Sequence, residues 1–164
     1  MRSISSDTNV WIDFVEIDRI KFPFMLPYTY LMSEYTAESE LIYPEGLADR
    51  LVQLGMKIIE ISDGEFYMAV EYIEKYGKIS TVDAIALAVA KKREITLMTG
   101  DGPLRKAAAK EHVEVIGTIG VLDNLVDENH ITVEEYKSCI LLLLEKNGGA
   151  IRLPEDELLK RLEY

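Results

Sequence analysis

A chain of 164 residues, 48% hydrophobic and 29% charged, is long enough to bury a core as one domain without disulfides or a structural metal. Its single cysteine, Cys139, excludes an internal disulfide, and residues 1–14 lack the cationic and apolar regions of a secretory signal, so a reducing cytoplasm is the expected home. The longest apolar run, Cys139–Leu144, is far below the ~20 residues needed to span a bilayer, and a net charge of −11 argues against holding a polyanion by bulk charge alone.

In chain order, short β-like runs alternate with helical ones, the pattern of an α/β fold with a parallel sheet. The expected strands are Arg2–Ser6, whose only apolar residue is Ile4, then Tyr28–Met32, Lys57–Ile61, Ile95–Met98 and Glu114–Ile116. Pro44 and Pro103 stand where first-turn prolines open helices. Ser62 with Glu65, and Thr132 with Glu135, have the spacing of capping boxes, and Ser80 with Asp83 repeats it with the shorter acid. Gly77 is expected to close the helix through Met68–Tyr76. The segment Thr81–Lys92 has no polar face from Ala84 to Ala90, which marks a buried helix with Asp83 at its mouth. After Gly120 the chain reads as helical, with Val121–Val126, Val133–Lys146 and Pro154–Glu163. Charge is uneven: from Asp83 to His112 six basic residues face four acids, so the remainder carries the acidity.

Each of several acids has a local explanation. Asp7 can cap the helix that begins near Val10, Asp83 can complete the cap with Ser80, Asp101 can serve the turn before Pro103, and Glu38 and Glu40 can lie on a solvated face. Parallel topology nonetheless gathers them. Asp7 and Asp101 follow strands, Asp83 begins a helix running down into the next strand, and Glu38 and Glu40 follow the second strand. All therefore fall at the carboxyl edge of the sheet, where open α/β sheets bind ligands. Carboxylates converging there without matching bases repel one another unless a cation sits among them, and all-oxygen ligands select Mg²⁺ or Mn²⁺.

Asp7-Thr8-Asn9-Val10 after a short strand resembles the opening of PIN domains. The run Ser80 to Ala88, an aspartate heading an alanine-rich helix, is similar to their central motif. Leu97-Met98-Thr99-Gly100-Asp101 followed by Leu104-Arg105 is similar to their Thr-x-Asp strand end, and Val115 to Gly120 resembles the last strand and turn of one branch. The resemblance implies a three-layer α/β fold with a five-stranded parallel sheet in the order 3-2-1-4-5, flanked by helices and followed by a helical C-terminal tail. It implies a PIN-like domain over residues 1–126, with residues 127–164 as a helical extension packed on it. It also implies a Mg²⁺/Mn²⁺-dependent endoribonuclease of the toxin-like branch, with RNA as substrate and an antitoxin as a partner. Carried over by position, Asp7, Asp83 and Asp101 are catalytic metal ligands, and Thr99 and Asn9 support them. The helix-2 ligand is Glu40, which precedes Leu41, with Glu38 as the alternative.

Arg105 and Lys106, one turn past Asp101, are candidate phosphate contacts, with a solvated helix face as the other reading. Phe22, Phe24, Tyr28 and Tyr30 either stack on bases or pack locally. His112 and His130 are expected at the surface, Cys139 in the core. The apolar block Ile140–Leu144 is wider than one helix stripe requires, which suggests a homodimer. The rival function is a catalytically weak PIN-fold protein that acts as a protein- or nucleic-acid-binding module, which the acidic surface favours. A phospho-receiver or phosphatase would need a second acid beside the strand-end aspartate or a nucleophile signature, and Ser5-Ser6-Asp7-Thr8-Asn9 offers neither.

Overall fold

The computed structural model describes residues 1–40 and 44–164. Five strands, β1 (Arg2–Ser6), β2 (Tyr28–Ser33), β3 (Lys57–Ile59), β4 (Thr96–Met98) and β5 (Val115–Ile116), form one all-parallel sheet in the order β3-β2-β1-β4-β5. The helices are α1 (Asn9–Glu16), α2 (Glu34–Glu40), α3 (Leu47–Leu54), α4 (Asp63–Lys75), α5 (Thr81–Arg93), α6 (Gly102–Lys110), α7 (Thr118–Asp127), α8 (Val133–Lys146) and α9 (Glu155–Arg161). This is the α/β class and the strand order that the sequence implied. Two compact units result: residues 1–8 with 27–116, and residues 9–26 with 117–164.

In the first unit the polar strand β1 runs through the middle of the sheet, paired with β2 through Ile4↔Tyr30 and with β4 through Ser6↔Met98. Serines are tolerated there because their hydroxyls are satisfied: Ser5 Oγ donates to Ala86 O at 2.8 Å and Ser6 Oγ to Leu31 O at 3.1 Å. The first of these bonds ties β1 to α5, whose residues Val82 and Ala84 to Ala90 are all buried. Its alanines keep α5 close to its neighbours, and with Tyr72, Leu87, Leu97 and Leu104 they make one continuous core.

Helix starts follow the expected chemistry. Ser62–Glu65 and Ser80–Asp83 are complete capping boxes at α4 and α5. At α8 only half a box forms: Thr132 accepts from Glu135 N–H, while the Glu135 carboxylate is taken by Arg19 at 2.7 Å. Pro103 lies in the first turn of α6, but Pro44 stands before α3, whose N-cap is Gly46 in the left-handed region at φ 81°. α4 ends as expected, with Tyr76 as its C-cap and Gly77 directly after it, though without a positive φ; the Tyr76 N–H bonds Tyr72 O and its hydroxyl is held by Glu111. Strands β3, β4 and β5 are each one or two residues shorter than expected, and α7 begins at Thr118.

The second unit joins α1, a 3₁₀ turn at Phe22–Met25, α7, α8 and α9. Trp11 stacks on Phe24 with ring centroids 5.0 Å apart, so this aromatic stretch serves packing, as Tyr30 does against Tyr28 in the first unit. Arg161 bonds Asp123 at 2.9 Å and Asp123 also accepts from Tyr136, tying α9 to α7 and α8. Cys139, Ile140 and Leu143 are fully buried inside this unit, and burial pushes the Cys139 thiol up to about 11. Two of the five residues of the Ile140–Leu144 block are therefore consumed by its own core; Leu142 and Leu144 are partly buried, and Leu141, at 55% exposure, stands out. His112 and His130 are exposed. Among the described residues no helix is long and apolar enough to cross a membrane.

Candidate active site

The ends of β1 and β4 lie side by side, and the ladder continues past both: Asp7 N–H donates to Met98 O and Thr99 N–H to Ile116 O, each at 3.0 Å. This sets the Asp7 carboxylate against the Thr99 hydroxyl. Asp7 Oδ2 accepts from Thr99 Oγ1 at 2.8 Å and Oδ1 from Thr8 N–H at 2.8 Å. Thr99 Oγ1 in turn accepts from Asp101 N–H at 3.1 Å, so one hydroxyl joins two of the acidic positions. Asp7 is 3% exposed and Thr99 fully buried.

Helices bring the other carboxylates. Asp83, half-buried in the first turn of α5, accepts from Ser80 N–H at 2.9 Å, and Asp101 caps α6 by accepting from Leu104 N–H at 3.0 Å. Ser33 starts α2 by accepting from Thr36 N–H at 3.1 Å, and Glu40 ends that helix, accepting from Thr8 Oγ1 at 2.7 Å. Glu38, on the same helix, is exposed, and no bond of that kind reaches it from a described residue. Leu41, on which the preference for Glu40 was based, lies outside the described residues. The local cap roles of Asp83 and Asp101 are thus real, and they coexist with the gathering at the sheet edge.

The electrostatics report that gathering. Burial, then the charge of Asp83, and to a lesser degree Glu40, push Asp7 up to about 7 against the hydrogen bonds from Thr8 and Thr99. Burial raises Asp83 as well, opposed by its bonds to Ser80 and reinforced by Asp101 and Glu40. Among the described residues, none of the four acids forms an ion pair with a lysine or arginine.

The family described as PIN domain (DUF3368) matches residues 4–163. The chain belongs to the PIN domain family. No curated protein and no solved structure shows a significant match to it. The PIN fold is of nuclease type, and PIN domains typically use divalent metal ions.

The donor chemistry of this PIN domain fits such an ion: hard carboxylate oxygens without basic partners among the described residues, with Asp7 and Asp83 raised by burial and then by neighbouring carboxylate charge. Among the described residues no three His, Cys, Asp or Glu side chains already stand close enough to enclose an ion. A closed cage is not what Mg²⁺ needs, since it keeps several waters and takes one or two protein carboxylates. Asp83 and Asp101 each commit Oδ2 to a backbone N–H.

Around this centre, Arg105 and Lys106 stand on α6 one turn past Asp101, both exposed. The Arg105 guanidinium is enclosed by neighbouring protein enough to hold its pKa below the usual arginine range, and no described carboxylate pairs with it. Asn9 opens α1, half-buried, two residues after Asp7.

Sequence reasoning missed one buried acid. Asp13, in the second unit, accepts from Thr118 Oγ1 at 2.7 Å and is raised to about 6, chiefly by burial and then by Glu16. Its signal was available: it falls three residues after Val10 on the face of α1 that also buries Phe14.

Proposed function

We propose that this PIN domain is a Mg²⁺- or Mn²⁺-dependent endoribonuclease, with Asp7, Asp83, Asp101 and Glu40 as the acids that hold the ion. The observation that carries the reading is Asp7: a carboxyl group 3% exposed, pressed by Asp83 and Glu40, with no base beside it. Such a group is costly as an anion unless a cation joins it. When bound, a divalent ion supplies positive charge that acidifies a water and steadies the oxygens of a phosphodiester.

The remaining parts belong to the chain. Thr99 fixes the direction of Asp7, and through Asp101 N–H it keeps the α6 cap in register with it. Thr8 performs the same service for Glu40. The N-termini of α5 and α6, with Asp83 in the first turn of the one and Asp101 capping the other, bring partial positive charge toward the incoming phosphate. Arg105 is the first candidate to bind that phosphate. A guanidinium already stripped of part of its water and lacking an acidic partner gives up less on meeting an anion. Lys106, also exposed, offers a second charge.

A second reading has its own support. Asp83 and Asp101 both spend an oxygen on helix caps, and the chain carries a net charge of −11, which suits a PIN fold that binds a partner and cuts weakly. Single-stranded RNA incubated with the protein in Mn²⁺ separates the two. Cleavage should fall more than ~100-fold, about 2.7 kcal/mol of barrier, on Asp7→Asn and on Asp83→Asn, while melting in EDTA shows both variants folded. Cleavage that survives in both variants, or is absent from the wild type at every Mn²⁺ concentration, overturns the nuclease reading.

A further inference from the structure

In a chain of net charge −11, α6 is an exception. Among the described α-helices it alone carries no acidic residue; its charges are Arg105, Lys106 and Lys110. Leu104, Ala107 and Ala108 pack inward, and Gly102, Pro103, Arg105, Lys106, Ala109 and Lys110 make the opposite, exposed face. None of the three cations enters an ion pair among the described residues. The acid that follows them is already engaged: Glu111 accepts from Lys75 at 2.8 Å and from the Tyr72 and Tyr76 hydroxyls. A side chain added at Gly102 would meet nothing within 4 Å, so the approach to the start of the helix is open. Lys106 and Lys110 form an i, i+4 pair with β-carbons about 6 Å apart, and Lys110 lies about 14 Å along the axis from Asp101.

We propose that this face of α6 is a rail for single-stranded RNA. With the scissile phosphate at the acids, the strand on one side of the cut runs down the helix, Arg105 and Lys106 meeting one phosphate and Lys110 a further one. The proposal rests on the ribonuclease reading for what happens at the start of the helix. It adds the class of substrate: an RNA that continues for several nucleotides beyond the cut, and not a dinucleotide. The occupant is argued from charge. Uncompensated cations in a line, on a protein otherwise rich in acids, are complementary to a repeating anion, and the line begins at Asp101, whose charge acts on Asp83. Cations on one face of one helix follow one backbone, and backbone contacts set position without reading bases. Lysine suits that task, because its ammonium meets phosphate as a point charge on a flexible stem.

Fluorescence anisotropy of a labelled single-stranded RNA of about a dozen nucleotides, titrated with the whole chain in EDTA between about 50 and 200 mM KCl, tests it. Nothing is cut under these conditions, so loss of cleavage alone leaves the rail standing, and loss of RNA binding alone leaves the ion site standing. Wild type should bind, with affinity falling as salt rises. Lys106→Gln and Lys110→Gln should each lower the slope of log affinity against log salt by about 0.7, the share of one phosphate contact on a single strand. Both should weaken binding alike for different base sequences. Lys92→Gln, the same charge change at an exposed position on α5, should leave the slope unchanged. All three side chains are exposed, so far-UV circular dichroism should match wild type. In Mn²⁺, Lys110→Gln should raise KM for the longer RNA and not for a dinucleotide, with kcat unaltered. No RNA binding by the wild type, slopes unchanged in both α6 variants, or an equal loss in Lys92→Gln overturns the proposal. So does displacement of the RNA by a polyglutamate peptide of equal affinity, which would make the face a site for acidic protein segments.

Discussion

Asp7 shows how one residue carries both the legibility of the site and its cost. Its position after β1 and the Thr99–Asp101 strand end could be read from the chain, because a parallel ladder has few ways to end. The choice between Glu38 and Glu40 could not be read, since it depends on where the last turn of α2 meets the Thr8 hydroxyl. Asp13 was hidden among apolar neighbours for a similar reason: its partner Thr118 lies 105 residues away. The raised pKa of Asp7 has a consequence for stability, with a definite sign. Below its unfolded value of 3.8 the proton is bound in both states; between there and about 7 the native state keeps a proton that the unfolded chain has lost. Stability of the metal-free protein therefore falls as pH rises through this window, by a few kcal/mol at most, and Asp13 adds a smaller decline ending near 6. Melting temperatures in EDTA from pH 4.5 to 8 should decline in wild type, and the decline should be shallower in Asp7→Asn. An identical slope in that variant would contradict the burial of an uncompensated acid.

At the scale of elements, α5 was the most readable segment because a helix without a polar face has only one place to go. The box at Ser80 fixed its start, and the alanines let it lie close to β1, where Ser5 reaches Ala86 O. Ala88 has no exposed surface and belongs to the same core as Leu87 and Leu97. Ala88→Leu should thus destabilise by ~1–3 kcal/mol through overpacking, read from urea denaturation; a change near zero would mean that α5 is loosely packed. Strand ends were less readable, and for a physical reason. β5 exists only where β4 offers partners, Leu97↔Val115 and Met98↔Ile116, so its length is set by a neighbour and not by its own composition. Gly77 marked the stop correctly, directly after the C-cap Tyr76, although it takes no positive φ there.

At the scale of the whole molecule, the net charge of −11 and the gathered acids point the same way. A chain this acidic repels RNA over a Debye length of roughly 10 Å at 0.1 M salt, so productive approach depends on local positive charge: the N-termini of α5 and α6, Arg105, Lys106 and an ion among the carboxylates. The family match runs through both units, from residue 4 to residue 163, and the four acids belong to the first unit. Everything proposed for function therefore turns on whether that acidic edge binds a divalent cation. Isothermal titration calorimetry of Mn²⁺ into the metal-free protein near pH 7.5 measures this directly. Saturable binding in wild type, weakened more than ~10-fold by Asp7→Asn and by Asp83→Asn, is the result expected from losing carboxylates that offset the ion's charge. Mn²⁺ binding that is undetectable at millimolar concentration, or that both variants retain undiminished, would contradict it.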